Sequence, residues 1–583
     1  MTKSRWRMLL GVLSVMAIGM VAFACGDDDT TATKTAAPSG SATSATGATS
    51  APASPTAQAN QPKKGGSVTI HYLAPESSDP HQANHASDIG PDTMVFRGAF
   101  KFDKNNKPVP EYAAGAATVN AAGTEYRIKI KSGLKWSDGS PMTAKDFAAG
   151  LLRTCHPDVA SEYQYVLSSV VGCDDLSAAA KETPEKKAEL LGKVGVKVID
   201  DTTYTVTLIQ PQATFPQILA MWVGAALPTS IFKNPGDPWP AWDKLIYNGP
   251  YKITGYTEKD SLTLERNDNY AASATGHAAY LDKIVLKYIE NTETADNAYR
   301  NGELQMALAN TTQLAVIKSS LAKDYFMGPE SANTIGIHMN LKKPPLDNFN
   351  VRLALSRATD RVTLIKVVLS EAHIPSTSWI PGPVVGEDDK KYDSIIGFDP
   401  AAAKKALADA GFPDGKGFPK LSFLIRDCPS CKATVEFLKA EWKKHLGIDV
   451  GVEIVDTPTR TKRYNTKDFE LYIGGWNQDF PDPENWVDGL YNSTGTGNKY
   501  SCNDPVLDQL FAQAKVNPND EERRGQYKKI NEIISAKICG TAVIYHQGQH
   551  YLVSPKLKGV RENSTSQDRV QAGDWIPEEW SLE

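Results

Sequence analysis

Positive charge is scarce: 63 Lys and Arg stand against 68 Asp and Glu, a formal charge of −5 with a pI near 6.1. That balance excludes a generally basic nucleic-acid binder. Past the first two dozen residues no apolar run is long enough to span a bilayer, which excludes a bundle of membrane helices. Phosphate-cradling loops are missing as well, since Gly495-Thr496-Gly497 has neither the third glycine nor the lysine that such loops use. No Gly-x-Ser-x-Gly elbow is present, so a hydrolase of that design is excluded too. What is left is 583 residues, about three or four domains' worth, 41% apolar and 22% charged. This is the composition of a soluble, multi-domain, mixed α and β protein.

The N-terminus carries an address. Lys3, Arg5 and Arg7 precede an apolar stretch from Met8 to Phe23, followed by Ala22-Phe23-Ala24-Cys25-Gly26. Residues 1–24 have the layout of an export signal with a small-residue cleavage site. The end of it resembles a bacterial lipobox, in which Cys25 becomes the lipid-bearing first residue, although Ala22 stands where Leu is usual. The alternative is a plain secretory signal that leaves Cys25 in the tail. Thr30 to Asn60 is almost wholly Thr, Ala, Ser, Pro and Gly, and lacks the large apolar side chains that offset ordering entropy. Residues 25–64 therefore read as a lipid-anchor Cys and a disordered tether with an r.m.s. reach on the order of 30 Å.

The remaining cysteines are Cys155, Cys173, Cys428, Cys431, Cys502 and Cys539, an even number in an exported chain. They read as disulfides, with local pairing 155 to 173, 428 to 431 and 502 to 539 as the economical choice among about 15 connectivities.

Several local elements are legible. Tyr126, Ile128 and Ile130 alternate with Arg127, Lys129 and Lys131, the period of a half-buried strand. Thr143 and Asp146 form a capping-box pair ahead of Phe147, Leu151 and Leu152. A hairpin joins Val196 and Val198 to Tyr204, Val206 and Leu208 across Asp200-Asp201. Asp399 caps a helix with Pro400 in its first turn, and Gly411 stands where a left-handed terminator is wanted. Leu421–Ile425, a helix through Val435 to His445, and Val450–Val455 read as a βαβ crossover with parallel strands. Asp504-Pro505 and Asn519-Asp520 start two helices whose antiparallel pairing brings Cys502 and Cys539 to one end.

Four blocks, in order, resemble the solute-binding proteins of oligopeptide and dipeptide ABC importers. They are Tyr126 to Phe147 with its Gly133-Leu134-Lys135-Trp136 turn; Asn248-Gly249-Pro250-Tyr251 with Leu264-Glu265-Arg266-Asn267; Asn340 to Arg361; and Gly474-Gly475-Trp476-Asn477-Gln478-Asp479. The resemblance implies an α/β, two-lobed periplasmic-binding-protein-like fold (type II) with an extra domain inserted in the first lobe. The first lobe would comprise 65–97, 213–328 and 546–583, the insertion 98–212 and the second lobe 329–545. It further implies a lipid-anchored binding protein on the extracytoplasmic face, without cofactor or metal. It would act as a monomer that takes a peptide and passes it to permease subunits, and bind no nucleic acid.

Within that resemblance Asp479 is the partner of a ligand's terminal ammonium, because a carboxylate enclosed between lobes loses hydration that a charged guest restores. The plain alternative is an Asp that opens the turn at Phe480-Pro481-Asp482-Pro483. Gly475, Trp476 and Asn477, at the end of a strand Phe469 to Gly475, would pair with an extended peptide as an added strand. Otherwise Trp476 is a core aromatic and the glycine a bulge or close contact. Asn84, His85 and Ala86 match a ligand-facing loop of the first lobe. Some relatives carry an Arg three positions before the Trp; here that place is Ile473, which leaves Arg463 or Lys462 to answer a ligand carboxylate.

Two rivals remain at this level. Cys428-Pro429-Ser430-Cys431 between a strand and a helix is the layout of a thiol-disulfide oxidoreductase. The His pairs 81 with 85 and 546 with 550 suit a nickel chelate, although no acid or cysteine completes a ligand set; an oligosaccharide is the other guest such a fold accepts. A peptide sensor feeding a signalling pathway would look the same as a transporter's binding subunit.

Overall fold

A computed structural model describes residues 62–272, 278–328, 333–426, 429–495, 497–563 and 576–583. The expected signal, Cys25, the tether as far as residue 61 and Cys428 lie outside the described residues. The rest folds as α/β with two large sheets. The first has seven strands in the order Tyr325–Met327, His550–Val553, Met306–Leu308, Ser67–Tyr72, Lys283–Tyr288, Ser261–Arg266 and Tyr251–Thr257. The second has six: His373–Pro375, Thr541–Gln547, Asn333–Met339, Leu471–Asn477, Leu421–Arg426 and Val450–Val455. A separate four-stranded antiparallel sheet, Thr118–Val119, Glu125–Lys129, Thr203–Thr207 and Val196–Asp200, forms the inserted domain. Among the described strands the chain passes between the large sheets twice, after Met327 and at Gly548-Gln549. The architecture is thus two-lobed with an insertion in the first lobe.

Local physics produced these elements as the sequence implies. In Glu125–Lys129, Tyr126 and Ile128 are buried while the intervening residues face water. Thr143 and Asp146 close a reciprocal capping box on the helix Ala144–Cys155. The Asp399 side chain accepts the Ala402 amide at the start of Pro400–Asp409, and Gly411 beyond its end has φ +94°. Leu421–Arg426 and Val450–Val455 pair in parallel across the helix Pro429–Leu446. Disulfides join Cys155 to Cys173 and Cys502 to Cys539. The third expected pair includes Cys428.

A buried charge cluster ties the C-terminal segment to the root of the insertion. Glu578 is fully buried, with Lys101 Nζ at 2.9 Å and Arg97 Nη2 at 3.2 Å. Lys101 also reaches Glu111 at 3.1 Å, and the Tyr270 hydroxyl donates to both Glu111 and Glu578. Burial alone pushes a carboxyl up; Lys101 and Arg97 overturn that and hold Glu578 down at about 2. A carboxyl whose folded pKa lies below its unfolded value of about 4.5 stabilises the fold above that pH and loses the contribution as pH falls toward 2. Thermal unfolding monitored from pH 5 to 2 is expected to show Glu578→Gln with a flatter acid limb than wild type. At neutral pH the same variant is expected to be less stable by roughly 3 to 5 kcal/mol, because two cations lose a buried partner.

Candidate functional site

The strand Leu471–Asn477 is held on one side along its whole length, Asn333–Met339 pairing antiparallel with it from Met339↔Leu471 to Asn333↔Asn477. On the other side Leu421–Arg426 pairs only at Phe423↔Leu471 and Leu424↔Tyr472. From there Leu421–Arg426 follows its other neighbour, reaching Arg426↔Val455. The two strands diverge, and the backbone edge from Ile473 to Asn477 has no strand beside it among the described residues. A cavity of about 360 Å³ fills the gap, lined by Ile473 to Asn477 and by Arg426 and Arg460. Such an edge is a template for another extended chain. Gly475 sits here because a Cβ would fall 1.8 Å from the Thr334 carbonyl oxygen, so close packing with the neighbouring strand dictates the glycine.

Asp479 follows the strand by two residues and is half-buried. The Tyr163 hydroxyl donates to its Oδ1 at 2.7 Å; the Tyr165 hydroxyl and Asn485 Nδ2 donate to its Oδ2 at 2.9 and 3.0 Å. Asn485 Oδ1 in turn accepts from the Asp479 amide at 2.8 Å and from Trp476 Nε1 at 3.1 Å. One buried amide therefore fixes both the carboxylate and the indole. Loss of hydration pushes the Asp479 carboxyl above its ordinary value, and the donors from Asn485, Tyr163 and Tyr165 pull the other way. All three donors are neutral. The oxygens have partners, yet the charge has no counter-charge among the described ion pairs.

Tyr163 and Tyr165 come from the inserted domain, so this contact bridges the two lobes. Phe480, next to Asp479, packs into the inserted domain's apolar core. A second cavity of about 440 Å³ opens beside it, lined by Tyr165, Ser169 and Gln212 from one side and Trp476, Asn485 and Glu484 from the other. Trp476 lines both cavities and so stands between them. Both volumes are of ligand size.

The loop expected to face ligand reaches Asp479 only through a relay. The Ala83 carbonyl accepts Trp222 Nε1 at 3.1 Å, and the Trp222 ring meets Tyr163 edge-on at 4.9 Å. Asn84 is half-buried, exposed His85 lies 4.0 Å from Glu76, and Ala86 accepts the Tyr72 hydroxyl as it begins the helix Ala86–Val95. Asn477 is exposed and bonds Asn333. Arg463, a candidate for a ligand carboxylate, is engaged instead: Glu453 and Asp468, the latter at 3.1 Å, hold it, because the helix Thr457–Asn465 turns that side chain toward the neighbouring strand Val450–Val455. Tyr163, Tyr165, Asn485, Arg426 and Arg460 were not singled out by sequence reasoning. Tyr163 meets Asp479 across 316 residues, and no local pattern marks such a partner.

Behind the larger cavity Glu484 is buried against Arg523 at 3.2 Å and accepts from Gln212 Nε2 at 3.3 Å and Thr214 Oγ1 at 3.1 Å. Arg523 is held chiefly by Asp482, at 2.6 and 2.7 Å.

Residues 107–498 match the profile described as bacterial extracellular solute-binding proteins, family 5 Middle. The oligopeptide-binding protein OppA of Bacillus subtilis is 28% identical over 493 residues, covering 83% of this chain and 88% of that protein. The periplasmic oligopeptide-binding protein OppA of Salmonella typhimurium is 25% identical, covering 83% and 87%. In fold, the chain is similar to the crystal structure of Haemophilus influenzae OppA in complex with RPPGFSPFR, with TM-score 0.71 at 22% identity over 90% of this chain and 100% of that one.

Glu484 supplies a test of the cavity's electrostatics. Burial, then the nearby Asp482, pushes its carboxyl up to about 7 against the pull of Arg523. A carboxyl with a raised folded pKa contributes stability that is present below its unfolded value of about 4.5 and is lost as pH rises to about 7. Melting curves between pH 4.5 and 7.5 are expected to fall with pH for wild type and to lose that slope in Glu484→Gln.

Proposed function

Because the chain belongs to the bacterial extracellular solute-binding proteins of family 5, we propose that it captures peptides in the cleft between its lobes and delivers them to an ABC permease. The protein binds and releases; it does not catalyse. The ligand's main chain lies along the Ile473–Asn477 edge as an added strand, and its terminal ammonium meets Asp479. One observation carries this reading: a half-buried carboxylate that has, among the described residues, neutral partners only, at the end of a strand edge with no described strand beside it. An ammonium supplies the positive charge that phenols and an amide lack, and a charge-assisted bond is roughly twice as strong as a neutral one. Side chains fall to either side of Trp476 into the two cavities, where water fills what they do not, so tolerance of sequence follows.

The family's extracellular character and the N-terminal layout together support a place outside the cytoplasm. Cys25, once lipidated, holds the protein to the membrane, and residues 26–64 give the binding body reach toward the permease. The chain works as a monomer, and its segments 65–97, 213–328 and the C-terminal one act as one lobe, with 98–212 as the insertion; the changeover expected at 545/546 falls at Gly548-Gln549, because Thr541–Gln547 still belongs to the second sheet, so the other lobe runs from 329 to 547.

Calorimetry with alanine peptides of three to six residues tests the assignment. Asp479→Asn is expected to bind peptides with a free amino terminus at least tenfold more weakly, about 1.4 kcal/mol, and N-acetylated ones with little change. Equal effects on both sets would remove Asp479 from the role of ammonium partner.

A further inference from the structure

The seam where the inserted domain meets the second lobe gathers three carboxylates of that lobe, Asp482, Glu484 and Asp488, around Arg523 and Lys515. Arg523 gives Nη1 and Nη2 to the two oxygens of Asp482, at 2.7 and 2.6 Å, and Lys515 Nζ reaches Asp488 at 3.0 Å. Glu484 is the third acid. It has only a share of Arg523, whose Nη2 lies 3.2 Å from its Oε2. Of the other titrating groups nearby, Glu162, Tyr165 and Lys499 line the same cavity, and the Tyr527 hydroxyl stands 3.4 Å from Arg523 Nη2. Burial and the adjoining Asp482 charge raise the Glu484 carboxyl to about 7.

Glu484 differs from its two neighbours in where its remaining partners come from. Gln212 Nε2 donates to Oε1 at 3.3 Å and Thr214 Oγ1 to Oε2 at 3.1 Å, and both residues lie across the seam. Ser169 Oγ fixes Gln212 from behind, and the Ala213 amide donates to the Lys515 carbonyl at 3.4 Å, so the two sides meet in backbone as well. While they meet, Glu484 is only 5% exposed. Drawing the lobes apart removes Gln212 and Thr214 and returns that carboxyl to water, where its ordinary value of 4.5 applies. Asp482 and Asp488 keep their cations through such a movement, because Arg523 and Lys515 belong to the same lobe as they do.

We propose that Glu484 is a proton-operated latch between the lobes: it takes up a proton as they close and gives it back as they part, so that binding a peptide also binds a proton. This rests on the peptide reading above and adds a preference for mildly acidic surroundings. The sign follows from linkage. A carboxyl that holds its proton more tightly in the closed form favours closure in full below its open-form value of about 4.5, and the contribution is lost as pH rises through about 7. By reciprocity, a ligand that closes the lobes tightens the hold of Glu484 on its proton. The protonated side chain keeps its cross-seam bonds, Oε2 giving its hydrogen to Thr214 Oγ1 while Oε1 goes on accepting from Gln212. Asp479 works in the opposite direction, since an ammonium guest drives its proton off.

Isothermal titration of the full chain with alanine peptides of three to six residues decides this, because their side chains do not titrate and their amino group stays charged near pH 6.5. Each titration is run in phosphate and in Bis-Tris, whose protonation enthalpies differ, and the difference in heat counts the protons bound. Wild type is expected to take up roughly half a proton or more per peptide at pH 6.5, and to bind about tenfold more weakly at pH 7.5 than at pH 5.5. Glu484→Gln, which keeps the shape without the charge, is expected to take up none and to bind more tightly than wild type at pH 7.5. Asp482→Asn frees Arg523 for Glu484 and is expected to shrink the uptake, which serves where the first variant does not fold. Uptake absent from wild type, or undiminished in the variants, refutes the latch and leaves the peptide reading standing. If no peptide binds wild type at any pH, both fall.

Discussion

A carboxylate withdrawn from water is costly unless something compensates its lost hydration, and among the described residues Asp479 has only neutral donors to do so. Two phenols and one carboxamide donate to its two oxygens, which makes the geometry definite without cancelling the charge. The surrounding construction follows from that arrangement. Asn485 must be buried to orient the carboxylate and Trp476 together, and the inserted domain must come close enough for its tyrosines to reach. The inserted domain and the second lobe therefore meet at Asp479.

Glu578 and Asp482 show what an enclosed carboxylate with a counter-charge of its own looks like here. Glu578 lies between Lys101 and Arg97, and Asp482 is clasped by Arg523 through both oxygens. Each is neutralised by its own chain, and each serves to hold distant segments together. Asp479 differs, since among the described residues its partners are two phenols and a carboxamide and no cation.

Local chemistry made much of the fold legible. A Thr and Asp three apart gave a true capping box at Thr143, Asp399 with Pro400 gave a capped start, and the strand, helix, strand order from Leu421 to Val455 gave parallel pairing. The strand expected at Phe469 to Gly475 lies at Leu471–Asn477, a shift of two that hydrophobic pattern alone does not resolve. What stayed hidden was every property fixed by a partner far along the chain. Tyr163 and Tyr165 look like ordinary aromatics until folding sets them against Asp479. Arg463 looked available because its partner Glu453 belongs to the preceding strand. Gly475 invited both a packing and a functional explanation; the Thr334 carbonyl enforces the first, and the open edge on the other side leaves room for the second.

The two described disulfides staple within bodies and never across them: Cys155–Cys173 lies in the insertion, and Cys502–Cys539 closes a helix pair on the second sheet. Covalent bracing thus stiffens the jaws and spares the jaw joint. Among the described residues no disulfide crosses between the two large sheets, so oxidation braces each body while the halves are held to one another by the backbone crossings and non-covalent contacts.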